Sequence, residues 1–168
     1  MKRVFVYLII GLSIFLISCS GKTDKDIYES ATENIENEKY AEALSLFEVI
    51  VTEYPNSEYY KDALIQTGEL SQGNVNQNIS FKESQKKAID SYRLFYSKYP
   101  DDPKAAQVLF MVGFIQANKL DELDSARVTY TKFLELYPDT EMAASAKSEL
   151  ENLGLTPDEI LAKKIKNN

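Results

Sequence analysis

Ala88-Ile89-Asp90-Ser91-Tyr92-Arg93-Leu94-Phe95-Tyr96-Ser97-Lys98-Tyr99-Pro100 has two counterparts in the same chain. Ala43 to Pro55 runs Ala-Leu-Ser-Leu-Phe-Glu-Val-Ile-Val-Thr-Glu-Tyr-Pro, and Ala126 to Pro138 runs Ala-Arg-Val-Thr-Tyr-Thr-Lys-Phe-Leu-Glu-Leu-Tyr-Pro. In each copy Ala stands twelve residues before Pro, an aromatic eight before, and a large apolar residue five before. Apolar residues at this spacing share one face of a helix, and Pro drives the residue before it out of the α region, so each copy reads as a helix that stops at Tyr-Pro. Self-similarity at such a period marks an array of repeated units, each too small to bury its apolar face alone.

The surrounding sequence supplies the partner helices. Thr23 is placed to cap a helix from Asp24 through Ile27, Tyr28, Ala31 and Ile35, ended by a turn at Asn37-Glu38. Ser57 is expected to cap a helix running to Leu70, and Asp102-Pro103 to open another reaching Asn118. Ser80-x-x-Glu83 has the capping-box pattern and begins the helix that ends at Tyr99. Residues 71–80 are rich in Gly, Asn, Gln and Ser and read as a polar loop inserted into the second unit. Thr140 is the expected cap of a helix over 141–152 that Gly154 closes, and Thr156-Pro157 starts a last helix or tail over 155–168. No strand pattern occurs. The expected organisation is an all-α array over 24–152, with units at 24–55, 57–100 and 103–138 and a capping helix at 140–152.

Composition narrows the function. Apolar residues make up 44% and charged residues 27%, the balance of a chain that buries a core. Net charge is −7, and it becomes −9 once Lys2 and Arg3 are left out, so phosphate neutralisation on a nucleic acid is not expected. The chain has no His, which removes Ser-His-Asp and Cys-His nucleophile pairs and the commonest transition-metal ligand. No cofactor and no metal are expected. Carboxylate catalysis by Asp101-Asp102 or Asp121-Glu122-Asp124 is the enzymatic alternative, but acids at turns normally cap helices or stay solvated.

The N-terminus reads as an address. A basic start at Lys2-Arg3 and a 14-residue apolar run from Val4 to Ile17 suit a secretory signal over 1–18 better than a membrane span, which needs about 20 apolar residues. Leu16-Ile17-Ser18-Cys19 resembles the lipobox of bacterial lipoproteins. That resemblance implies cleavage before Cys19, covalent lipid on Cys19, and a short tether over 19–23. Ser20 in place of the Asp that marks inner-membrane retention implies the periplasmic face of an outer membrane.

The helix pairs themselves, with Ala-x3-aromatic-x2-large-x4-Pro and with Gly68 and Gly113 each 13 residues after a Pro, resemble the tetratricopeptide repeat. The Tyr-Pro ending, and Ile50, Phe95 and Phe133 where that repeat usually has Ala, are similar to the arrays of BamD-type outer-membrane assembly lipoproteins. They are also similar to those of the periplasmic division coordinators of the YbgF type. The resemblance implies a tetratricopeptide solenoid, three repeats plus a cap, that acts as a membrane-anchored scaffold for proteins or peptides, β-barrel assembly components among them. Counting from the Ala31, Gly68 and Gly113 slots, it implies a partner groove lined by Tyr28, Thr32, Ile65, Glu69, Phe110, Phe114 and Ala117. A stripe such as Phe110 and Phe114 can equally be core.

Overall fold

The computed structural model describes residues 21–166, and within them the chain forms eight helices and no strand. They are α1 (Asp24–Glu36), α2 (Tyr40–Glu53), α3 (Tyr60–Gln72), α4 (Phe81–Lys98), α5 (Ala105–Asn118), α6 (Leu123–Leu136), α7 (Ala143–Asn152) and α8 (Pro157–Lys166). Each of the first six packs on the next along the chain, so the fold is a tetratricopeptide-like solenoid of antiparallel pairs. The signal segment and Cys19 lie outside the described residues.

Helix starts follow local chemistry. Thr23 Oγ1 accepts the Asp26 N–H at 3.1 Å while Thr23 N–H donates back to the Asp26 carboxylate at 2.9 Å, a complete capping box. Ser80 makes only half of one: its Oγ accepts the Glu83 N–H at 3.2 Å, and the Ser80 N–H makes no return bond to the Glu83 carboxylate. Three other starts differ from the sequence expectation. Ser57 and Asp102 do hold backbone N–H groups, of Tyr59 at 3.0 Å and of Lys104 at 2.9 Å, but a turn intervenes before α3 and α5 begin. Thr140 does not cap α7; its hydroxyl donates backward to the Tyr137 carbonyl at 3.0 Å, and α7 begins at Ala143.

The second helix of each pair ends at Pro. Tyr54, Tyr99 and Tyr137 close α2, α4 and α6 with φ of −124°, −129° and −131° and ψ of 54°, 59° and 48°, outside the helical region in each case. Two of these tyrosines also fasten the solenoid along its edge. Tyr54 Oη donates to the Lys22 carbonyl at 3.3 Å, and Tyr137 Oη donates to the Pro100 carbonyl at 3.1 Å. The Tyr99 ring instead tilts over Phe95, with centroids 5.5 Å apart.

The core follows the repeated positions. Phe47, Phe95 and Phe133 are at most 2% exposed and lie in three successive apolar clusters. Gly68 and Gly113 are where paired helices come closest. A Cβ at Gly68 would fall 2.2 Å from the Tyr92 ring and one at Gly113 would fall 2.7 Å from the Tyr130 ring, so only Gly admits the aromatic.

The 71–80 stretch is not a loop throughout. α3 continues through Ser71 and Gln72 because α4 caps its end. Ser84 Oγ donates to the Ser71 carbonyl at 2.7 Å, and the Gln85 amide donates to the Gln72 carbonyl at 3.0 Å. The last carbonyls of a helix lack partners within it; the Ser71 carbonyl also accepts the Asn74 N–H at 2.9 Å, and the side chains of α4 add a bond to each.

Candidate protein-binding surface

The first helices of the pairs, α1, α3 and α5, carry the residues expected to line a groove. On α1, Tyr28 is half-buried and stacks on Tyr59, with centroids 4.5 Å apart at 23°. Its ring edge meets Phe47 at 5.9 Å, and its hydroxyl reaches the Asp62 carboxylate at 3.5 Å. Partial burial, and behind it the Asp62 charge, pushes the Tyr28 phenol above its ordinary pKa. Thr32, one turn on, turns its hydroxyl back to the Tyr28 carbonyl at 3.0 Å and is half-buried.

On α3 the two expected residues separate. Glu69 is exposed. Ile65 is 3% exposed and belongs to the cluster with Tyr92, Phe95 and Val112, so it is core and not groove. α3 is clasped by α2 on one side and α4 on the other, which covers a wider arc of its surface than a single apolar stripe suggests.

On α5, Phe110 is half-buried but already engaged, 5.5 Å from the Tyr130 ring and 6.0 Å from the Phe133 ring. Phe114, one turn further, is half-buried with the Lys119 ammonium 5.9 Å from its ring, at the outer limit of a cation–π contact. Ala117 lines a polar cavity of about 360 Å³ between the end of α5, α7 and the turn at 153–156, shared with Asn118, Asp121, Ser148, Glu149 and Asn152. Thr32, Glu69, Phe114 and Ala117 are therefore the groove positions with surface to offer, whereas Tyr28 and Phe110 are mainly committed to packing.

The structure also presents a surface that counting along the repeats did not anticipate. Between α2 and α4, over the outer side of α3, lies a mainly apolar cleft of about 440 Å³ lined by Val49, Val51, Thr67, Asp90 and Ser91. The Lys87 ammonium and Glu48 carboxylate bridge it at 2.7 Å. Between α4 and α6 a smaller, more polar cavity of about 290 Å³ is lined by Gln116, 1% exposed, whose amide, turned to satisfy both ends, donates to Thr129 and accepts from Arg93 at 3.0 Å.

The carboxylates considered for catalysis have other engagements. Asp102 accepts the Lys104 N–H and pairs with the Lys61 ammonium at 3.0 Å, and both contacts hold its carboxyl below the ordinary range. Asp121 sits in a turn at φ 55°. Among the described residues no group of three His, Cys, Asp or Glu side chains is arranged to hold a metal ion. Also among the described residues, no helix is long and apolar enough to cross a membrane.

A stacked array of helix pairs with side-chain surface on its first helices is an interaction fold, and family comparison places it more closely. Residues 20–164 match the YfiO family of outer membrane lipoproteins, and the chain belongs to that family. Membership places it at the outer membrane, on the periplasmic side. Relatives include the outer membrane protein assembly factor BamD of Neisseria gonorrhoeae, 22% identical over 182 aligned residues, covering 91% of this chain and 65% of the relative. BamD of Neisseria meningitidis serogroup B is 23% identical over the same coverage. The chain thus spans just under two thirds of the length of these relatives.

Proposed function

We propose that this protein is a lipid-tethered periplasmic scaffold that holds protein partners during outer-membrane protein assembly. The observation that carries this reading is the family match itself, which starts at Ser20, directly after Cys19, and runs along every helix pair to Lys164. Cys19 carries the covalent lipid. Three repeats with α7 as cap present a partner groove through Thr32, Glu69, Phe114 and Ala117, and no catalytic group takes part. A polypeptide segment laid across successive first helices is recognised through side-chain pockets, as in other helix-groove complexes.

A photo-crosslinking amino acid placed at Glu69 or Phe114 in the full-length protein tests this in cells. Crosslinks to β-barrel assembly components support the reading. Crosslinks confined to division or Tol-Pal components would replace it with the coordinator reading, and the absence of any protein adduct from both positions would remove the groove. Separately, Cys19→Ala is expected to abolish lipid labelling and membrane attachment.

A further inference from the structure

The path by which the chain enters the solenoid also fixes how the solenoid stands on its membrane. Lys22 is held to the first pair at its carbonyl, where Tyr54 Oη donates at 3.3 Å. The next residue, Thr23, is locked in the capping box with Asp26. Lys22 stands three residues after Cys19, a reach of at most about 11 Å even when fully extended. α1 then runs 13 residues away from this point, roughly 20 Å, before the turn at Asn37. α2 returns over the same distance to Tyr54-Pro55.

We infer that the edge formed by the start of α1 and the Tyr54-Pro55-Asn56 turn rests on the phospholipid headgroups, with the Glu36-Asn37 end of the pair pointing into the periplasm. This inference rests on Cys19 carrying the lipid. The tether is too short to let the first pair turn over, because inversion would move Lys22 away from the bilayer by the length of α1, about twice the reach available. The chemistry of the edge fits headgroups and not the acyl layer. Lys22, Lys25, Pro55, Asn56 and Glu58 are exposed, both charge signs are present, and among the described residues no exposed large apolar side chain lies in the entry segment or this turn. The contact is polar and superficial.

The test uses the full-length protein isolated from membranes, where the lipidated Cys19 leaves an introduced cysteine as the single free thiol. A fluorophore is attached at Asn56→Cys or at Glu36→Cys, and each protein is placed in phosphatidylcholine vesicles. Quencher lipids carry the quenching group either in the headgroup or deep in the acyl chain. The expected result is strong headgroup quenching at position 56, at least several-fold weaker quenching at position 36, and little from the acyl-chain quencher at either. A flexible Gly/Ser insert of about twelve residues after Ser20, long enough to span the height of α1, is expected to erase the difference. Equal quenching at 36 and 56 in the unextended protein, or stronger quenching at 36, overturns the orientation. Failure of the lipid reading looks different: the protein would not float with vesicles, or would float as well as Cys19→Ala, and the orientation would fall with it.

Discussion

The α3–α4 and α5–α6 pairs use one device with two outcomes. In both, a glycine on the first helix receives a tyrosine ring from the second, Tyr92 over Gly68 and Tyr130 over Gly113. Burial pushes both phenols well above their ordinary pKa, so both stay neutral and need a hydrogen-bond partner. Tyr92 finds one in the Gln72 side chain at 3.1 Å. Tyr130 is fully buried and its hydroxyl finds none, because Ala117 stands four residues after Gly113 where Gln72 stands four after Gly68. Shape is repeated faithfully along the solenoid, whereas the satisfaction of polar groups is settled pair by pair. A buried hydroxyl without a partner costs about 1–3 kcal/mol, so the third pair carries a local deficit that the second does not.

Four sets of variants would break or sharpen that contrast. Phe95→Ala and Phe133→Ala should be the most damaging, each costing about 3–5 kcal/mol in chemical denaturation, since both rings are fully buried. A loss under about 1 kcal/mol at either position would contradict its place in the core. Gly68→Ala and Gly113→Ala come next, with overpacking of about 1–3 kcal/mol partly offset by the better helix propensity of Ala. The loss should be larger at 68, where the added carbon meets the ring 0.5 Å closer than at 113 (2.2 against 2.7 Å). Tyr92→Phe should cost about 1 kcal/mol through the lost Gln72 bond, whereas Tyr130→Phe should be neutral or slightly stabilising. Equal costs for these two would show that the Tyr130 hydroxyl is satisfied after all.

The smallest effect concerns pH. The folded-state pKa of Asp102 is lowered, so its contribution is present above the ordinary carboxylate range and is lost as pH falls below it. Asp102→Asn should therefore lower the melting temperature near neutral pH and have little effect below pH of about 3, with a free-energy change under about 1 kcal/mol because the Lys61 side of the pair is about half exposed to solvent. A variant effect that grows on acidification would reverse this assignment.

How much of this was legible in the sequence follows from the range of each interaction. Tyr-Pro ends, the Thr23 cap and the Gly–aromatic spacing are set by neighbours along the chain or by strict repetition, and the structure has them where the sequence places them. Ile65 was misplaced because counting from Gly68 identifies a helix face without revealing that α3 is covered from both sides. The 71–80 stretch looked like loop because the residues that finish α3, Ser84 and Gln85, lie across a turn on another helix. The Glu48–Lys87 bridge joins residues 39 positions apart and breaks the repeat pattern, so no periodicity announces it. Repetition reports what the units share, and the candidate surfaces are built from what they do not.

The two long edges of the solenoid also differ in how they tolerate change. At the Tyr-Pro edge, consecutive turns are stitched by Tyr137 to Pro100, Tyr54 to Lys22, Lys98 to Pro55 and Lys61 to Asp102. At the opposite edge the 73–80 connection absorbs the extra length of the second unit; its start is tied to α3 by the Asn74 N–H, but beyond Val75 its hydrogen bonds, Gln77 to Asn74 and Asn78 to Asn76, stay within the turn. A chain built this way has one margin that keeps its pitch and another that can be lengthened or retailored without altering the stack. New recognition elements can accumulate along the second margin while the first holds the register.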